Sequence, residues 1–166
     1  MYSVGDKIVY PLHGAGIIES IEEKTVLGQK KKYYVMRIQS GKMTVLIPTD
    51  KCEEIGIRDV IDKTEAKKAI EHFKTHEIYD DENWNRRQRD NLQKIHTGDL
   101  YLVLDVMKNL MYRELSKGLS TSERKILAST KQMVVSELVM SGFAGEEDVE
   151  MILNETVKAL LPDKED

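Results

Sequence analysis

The chain has little of what fixes small proteins covalently or carries proteins through membranes. A single cysteine, Cys52, excludes an internal disulfide and suits a reducing compartment. With that one thiol and only four scattered histidines, a structural zinc site is not expected. Apolar runs stay at a few residues, far short of the roughly 20 that span a bilayer. The opening Met1-Tyr2-Ser3-Val4-Gly5-Asp6-Lys7 lacks the basic and then apolar order of a secretory leader, which points to the cytoplasm. Neither charge dominates: 25 basic residues face 29 acidic ones, for a net charge of −4. That balance excludes a general nucleic-acid coat, although a local basic patch would still engage phosphates. What is present, 40% hydrophobic and 33% charged residues over 166 positions, describes a globular chain with room for one large domain or two small ones.

The two halves differ in pattern. Up to about Ile57, β-branched and aromatic residues are punctuated by turn formers, and strands are expected at Lys7–Tyr10, Gly16–Glu22, Lys32–Gln39 and Met43–Pro48. So many short strands in so few residues are most simply relieved of open edges by a small closed barrel. Past Arg58 the periodicity is helical. Helices are expected from Asp62 or Thr64 to Lys74, from Asn83 to Gly98, from Leu100 to Lys117, and from Ser120 to Met140. The fourth opens on a capping box, Ser120 with Glu123 three residues later. Gly145 to Leu160 forms a last helix, and the polar tail Pro162–Asp166 is expected to fray. The inward sets are Leu100, Val103, Leu104, Met107, Leu110, Met111 and Leu115; Leu127, Met133, Val134, Leu138 and Val139; and Val149, Ile152, Leu153, Val157 and Leu160. The fold class is therefore α+β with two domains, a β module over 1–57 and an all-α module over 60–161.

No catalytic constellation stands out. His72 and His76 have a zinc-compatible helical spacing, but Phe73-Lys74-Thr75 between them lacks the glutamate a metalloprotease helix needs. They read as two solvated histidines, and no metal or cofactor is expected. Cys52 has no activating neighbour. His13-Gly14-Ala15-Gly16 is a tight turn rather than a phosphate loop, since the full glycine pattern and the lysine are missing. Asp80-Asp81-Glu82 reads as a solvated connector into a helix. The chain is not expected to be an enzyme.

One segment breaks the ordinary pattern. Asn83-Trp84-Asn85-Arg86-Arg87-Gln88-Arg89 sets the only tryptophan just before three arginines. On a helix Arg86 and Arg89 share a face, with Arg87 beside them. Guanidinium forks suit phosphate oxygens, and a tryptophan at the rim can stack on a base or wedge between base steps. A second basic spot, Arg124-Lys125, lies in the first turns of the Ser120 helix, where the helix dipole disfavours cations and an external anion would compensate. The competing reading makes Trp84 a core anchor and pairs the arginines with neighbouring acids.

The order of these features resembles the CarD/CdnL family of bacterial transcription regulators. Val4-Gly5-Asp6-Lys7-Ile8-Val9-Tyr10-Pro11-Leu12-His13-Gly14-Ala15-Gly16 resembles the family's first strand and turn. Lys42-Met43-Thr44-Val45-Leu46-Ile47-Pro48 resembles its later strand, and Gly56-Ile57-Arg58 its exit from the barrel. Asn83-Trp84, Arg86-Arg87, Asn91-Leu92, Gly98-Asp99, Gly118-Leu119-Ser120, Glu123-Arg124 and Leu127-Ala128 continue the likeness through the helices.

The resemblance implies a small Tudor-like β-barrel that docks on the RNA polymerase β subunit, followed by a compact helical domain. The helical domain would meet promoter DNA in the minor groove at the upstream edge of the −10 bubble and stabilise the open complex. It implies Trp84 as the wedge and Arg86, Arg87, Arg89 and Arg124 as phosphate contacts. On the polymerase side it implies Lys24, at a position often arginine in the family, and Leu46, where other members carry arginine. It also implies a cytoplasmic protein brought to the nucleoid by polymerase, with no membrane partner and no small-molecule substrate. The alternative is a polymerase- or repair-factor-binding adaptor whose helical domain grips a protein instead of DNA, with Trp84 and its arginines as the hot spot.

Overall fold

A computed structural model describes residues 1–162; the expected frayed tail lies outside them apart from Pro162. Five strands come first: β1 (Lys7–Tyr10), β2 (Gly14–Val26), β3 (Gln29–Ile38), β4 (Thr44–Pro48) and β5 (Arg58–Asp59), with a short helix α1 (Cys52–Ile55) before the fifth. They form one antiparallel sheet in the order β4-β3-β2-β1-β5. The hydrogen-bonded ladder therefore leaves β4 and β5 as edges. α1 connects those edges and packs Cys52 and Ile55 against the sheet's core of Ile8, Ile18, Tyr34, Met36, Ile38, Ile47 and Ile57. β2 and β3 run further than the apolar pattern announces, because their distal halves, Glu22–Val26 and Gln29–Lys32, form an exposed two-stranded ribbon. A register shift between Ile18 and Ser20 marks a bulge where that ribbon leaves the core.

Five helices follow: α2 (Lys63–Thr75), α3 (Trp84–His96), α4 (Leu100–Ser116), α5 (Thr121–Met140) and α6 (Glu146–Lys158). Their starts are fixed by local chemistry. The side chains of Asp62, Asn83, Asp99 and Ser120 accept N–H bonds from the first turns of α2 to α5, and Ser120 with Glu123 completes the capping box. One core unites the helices around Phe73, Leu104, Met107, Leu110, Val134, Leu138, Val149 and Val157. Two residues expected inside are exposed, Leu115 at 49% and Leu160 at 44%. Leu115 sits in the last turn of α4, and Leu160 lies beyond the end of α6.

The two modules are docked on each other through α5 and β2. Ala15 donates its backbone N–H to Ser136 Oγ (2.9 Å), Gln132 reaches the His13 carbonyl (3.0 Å), and Lys7 reaches the Met140 carbonyl (3.3 Å). Val9, Ala15 and Met140 form a small apolar cluster between them, with Val60 packed alongside. Gly14 is required at this contact. It adopts φ +108°, and a Cβ there would stand 2.8 Å from Ser136 Oγ. Arg58, leaving the sheet, forks onto Glu137 of α5 at 2.6 and 2.7 Å, and the Ile61 N–H adds a third bond to the same carboxylate (3.1 Å).

Candidate nucleic-acid interface

Trp84 opens α3 and is 44% exposed, its indole N–H directed to Ser120 Oγ at 3.3 Å. Since Ser120 is the cap of α5, this contact brings the N-termini of two helices to one edge of the molecule. Two positive dipole ends there favour an anion. The ring is carried by capping chemistry: the Asn83 side chain accepts from the Arg86 N–H (2.9 Å), and the Asn83 N–H is held by Asp81 (2.9 Å).

The arginines divide into different roles. Arg87 departs from the expected phosphate contact. Its side chain is buried, forked onto Glu123 at 2.8 and 3.1 Å, and it also donates to the Asp81 carbonyl at 2.8 Å. A guanidinium so committed cannot meet a phosphate while that pair persists. It pins α3 to α5 and so positions Trp84. Arg86 forks onto Asp81 at 2.5 and 3.1 Å yet keeps a half-exposed side chain, so it can share a phosphate only at the flank of that pair. Arg89 is exposed, with only a loose approach to Asp90 at 3.8 Å. Arg124 is exposed in the first turn of α5.

Of the three acids only Glu82 stays exposed; Asp80 and Asp81 are withdrawn from solvent and paired. Asp80 takes Arg113 (2.8 Å) and Lys117 (3.0 Å) from the end of α4, and Glu82 also pairs with Lys117. The Arg86 guanidinium and the Asn83 N–H hold the Asp81 carboxyl down at about 2, with Arg87 assisting. For Glu123, burial pushes upward, but the Arg87 fork and the Ser120 cap together hold it below the usual carboxylate range. Charge that composition places on the surface is instead the scaffold of this edge. The sequence signal was present in the alternation of acids before Asn83 with arginines after it, but pairing partners on α4 and α5 cannot be read from spacing alone.

On the other module, Lys24 and Leu46 lie on one face of the sheet. Leu46 pairs with Val35 and Val35 with Ser20, and Lys24 follows Ser20 at an even spacing along β2. The same face carries Glu22, Tyr33 and Pro48, and it points away from the core side marked by Tyr34 and Ile47. Lys24 is therefore about 13 Å along the strand from the row that holds Leu46.

His72 and His76 do not simply face water. Both approach Asp105 of α4, a residue the sequence reading did not connect with them. Among the described residues no helix is long and apolar enough to cross a membrane.

Comparison with known proteins places the chain. Residues 68–154 match the family model described as CarD, C-terminal domain, and residues 2–61 match that of the CarD-like/TRCF RID domain. A Bacillus subtilis (strain 168) protein described as "Putative transcription factor YdeB" is 41% identical over 138 residues, which are 83% of this chain and 90% of that protein. A solution structure of the 72-residue N-terminal domain of Myxococcus xanthus CarD is 36% identical and covers 36% of this chain and 79% of that domain, with a TM-score of 0.31. The chain belongs to the CarD/CdnL family of transcription regulators.

Proposed function

We propose that this protein docks on the RNA polymerase β subunit through its β module, residues 1–57. Its helical module, residues 60–161, then holds promoter DNA at the upstream edge of the −10 bubble and stabilises the open complex. The observation that carries the reading is the half-exposed Trp84 ring at the joint N-terminal edge of α3 and α5, with Arg89 exposed further along α3 and Arg124 exposed in the first turn of α5. Membership of the family supports it. An amphipathic ring flanked by cations and helix N-termini is suited to a fork of DNA, where phosphates lie beside unstacked bases. Arg86, Arg89 and Arg124 are the phosphate contacts in this reading, and Arg87 is the post that holds the edge.

On the polymerase side, the outer sheet face with Lys24, Tyr33 and Leu46 is the docking surface. Leu46 is 42% exposed and contributes apolar contact. Neither contact need be strong, because tethering to polymerase raises the local concentration of the DNA-binding edge. A chain of net charge −4 can then act at DNA. The edge shifts the promoter equilibrium only through stronger binding to the open form.

The test uses the full chain, since cutting between the modules would strand Glu137 and bare the α5–β2 contact. Leu46→Glu should abolish capture of the β subunit while leaving binding to forked promoter DNA intact. Arg89→Ala should do the reverse, weakening DNA binding about equally across sequences and flattening the salt slope by roughly one unit. Loss of polymerase capture in Arg89→Ala with retention in Leu46→Glu would reverse the assignment of the two surfaces.

A further inference from the structure

We infer that His72, His76 and Asp105 form a binding site for one divalent transition-metal ion, zinc being the best match. α2 carries His72 in its last turn and His76 at its C-cap, and the two imidazoles stack with centroids 5.1 Å apart and planes 26° apart. Their Nε2 atoms converge on the same Asp105 oxygen of α4, at 2.7 and 3.4 Å. One potential ligand atom from each of the three residues lies within 4.8 Å of the others. A hydrogen bond accounts for the first approach but not the second, which is longer than a good N–H···O bond. Two imidazole nitrogens and a carboxylate turned to one point are the donor set of an open zinc site, which leaves a position for water. Such a donor set does not suit calcium or magnesium, which need several oxygens.

The surroundings hold the ligands in place. The edge of Tyr101 packs on the His72 ring with centroids 5.0 Å apart. Lys108, buried on α4, donates to the His76 carbonyl and fixes the turn that carries the second ligand. Its amine also lies 5.4 Å from the Phe73 ring centroid. Lys108 adds positive charge near the site, which Asp105 offsets, so affinity rests on the imidazoles. The histidine side chains remain about one-third exposed, which gives an ion access from solvent. An ion bound here would clip the end of α2, the connector from the sheet, to the middle of α4. That role is separate from the polymerase and promoter surfaces.

The experiment titrates the full-length, chelator-treated protein with zinc chloride and, in parallel, with cobalt chloride. We expect one zinc per chain, a melting temperature that rises with zinc concentration, and cobalt d–d bands of a low-coordinate nitrogen and oxygen site. His76→Gln should lower zinc affinity at least tenfold and abolish both the thermal shift and the bands, and Asp105→Asn should weaken all three readouts. His76 is partly exposed and its substitution should leave the fold intact, which circular dichroism checks; it decides the matter if a His72 variant does not fold. No binding at micromolar zinc, or binding unchanged in His76→Gln, would overturn the site.

Discussion

At the scale of single residues, neighbouring arginines on α3 have different work. Arg87→Ala leaves the Glu123 carboxylate buried without its partner, which should cost about 3–5 kcal/mol in chemical denaturation. Arg89→Ala removes an exposed side chain and should leave stability within about 0.5 kcal/mol of the parent. Equal stability of the two variants would contradict the division. The same edge has a signature in acid. Asp81 carries a folded-state value near 2 against an ordinary 3.8, so between those values the unfolded chain binds more protons. The stabilisation it provides is complete above about pH 4 and is lost as pH falls toward 2. Trp84 is the only tryptophan, and its fluorescence should report a transition in that window which Asp81→Asn removes. A titration of Trp84 unchanged by Asp81→Asn would place the acid response elsewhere.

At the scale of elements, the helix starts after α1 were legible because they depend on local chemistry, whereas the starts of β2 and β3 and the short elements α1 and β5 were not. The Ser120–Glu123 box, the Asn83 cap and the switch from alternating to helical periodicity each lie within a few residues. What the sequence concealed is the traffic between elements. Glu137, Glu123 and Lys108 occupy buried positions on helices where apolar spacing would assign charge to solvent. Their partners, Arg58, Arg87 and the His76 carbonyl, are 79, 36 and 32 residues away in sequence. Trp84 and Arg89 were each legible as exposed from their polar setting, whereas Arg87 was not separable from them by spacing. The docking of α5 on β2 makes a distinct prediction. Arg58→Ala strands the buried Glu137 carboxylate, at a cost of about 3–5 kcal/mol. Because that pair joins the modules, the loss should appear as faster hydrogen exchange along β1, β2 and the second half of α5. Exchange that quickened only within α2 and α4 would mean that the pair does not hold the modules together.

At the scale of the whole molecule, a sheet face and a helical edge are held in one fixed relation by the α5–β2 contact. In the proposed function, polymerase brings the edge to the fork, and Trp84 makes the contact that exists only once the bases have separated. Stacking of that kind is worth about 1–3 kcal/mol per base, enough to slow bubble collapse roughly five- to a hundredfold. Because the ring is half exposed, Trp84→Ala should cost well below the about 3–5 kcal/mol expected for a buried tryptophan. The decisive measurement is the lifetime of open promoter complexes formed by the cognate polymerase, with the parent protein and with Trp84→Ala at saturating concentration. The account predicts a near-parental melting temperature and undiminished polymerase binding for the variant, with the lengthened lifetime largely gone. A variant that stays folded, binds polymerase and prolongs the open complex as well as the parent would contradict it.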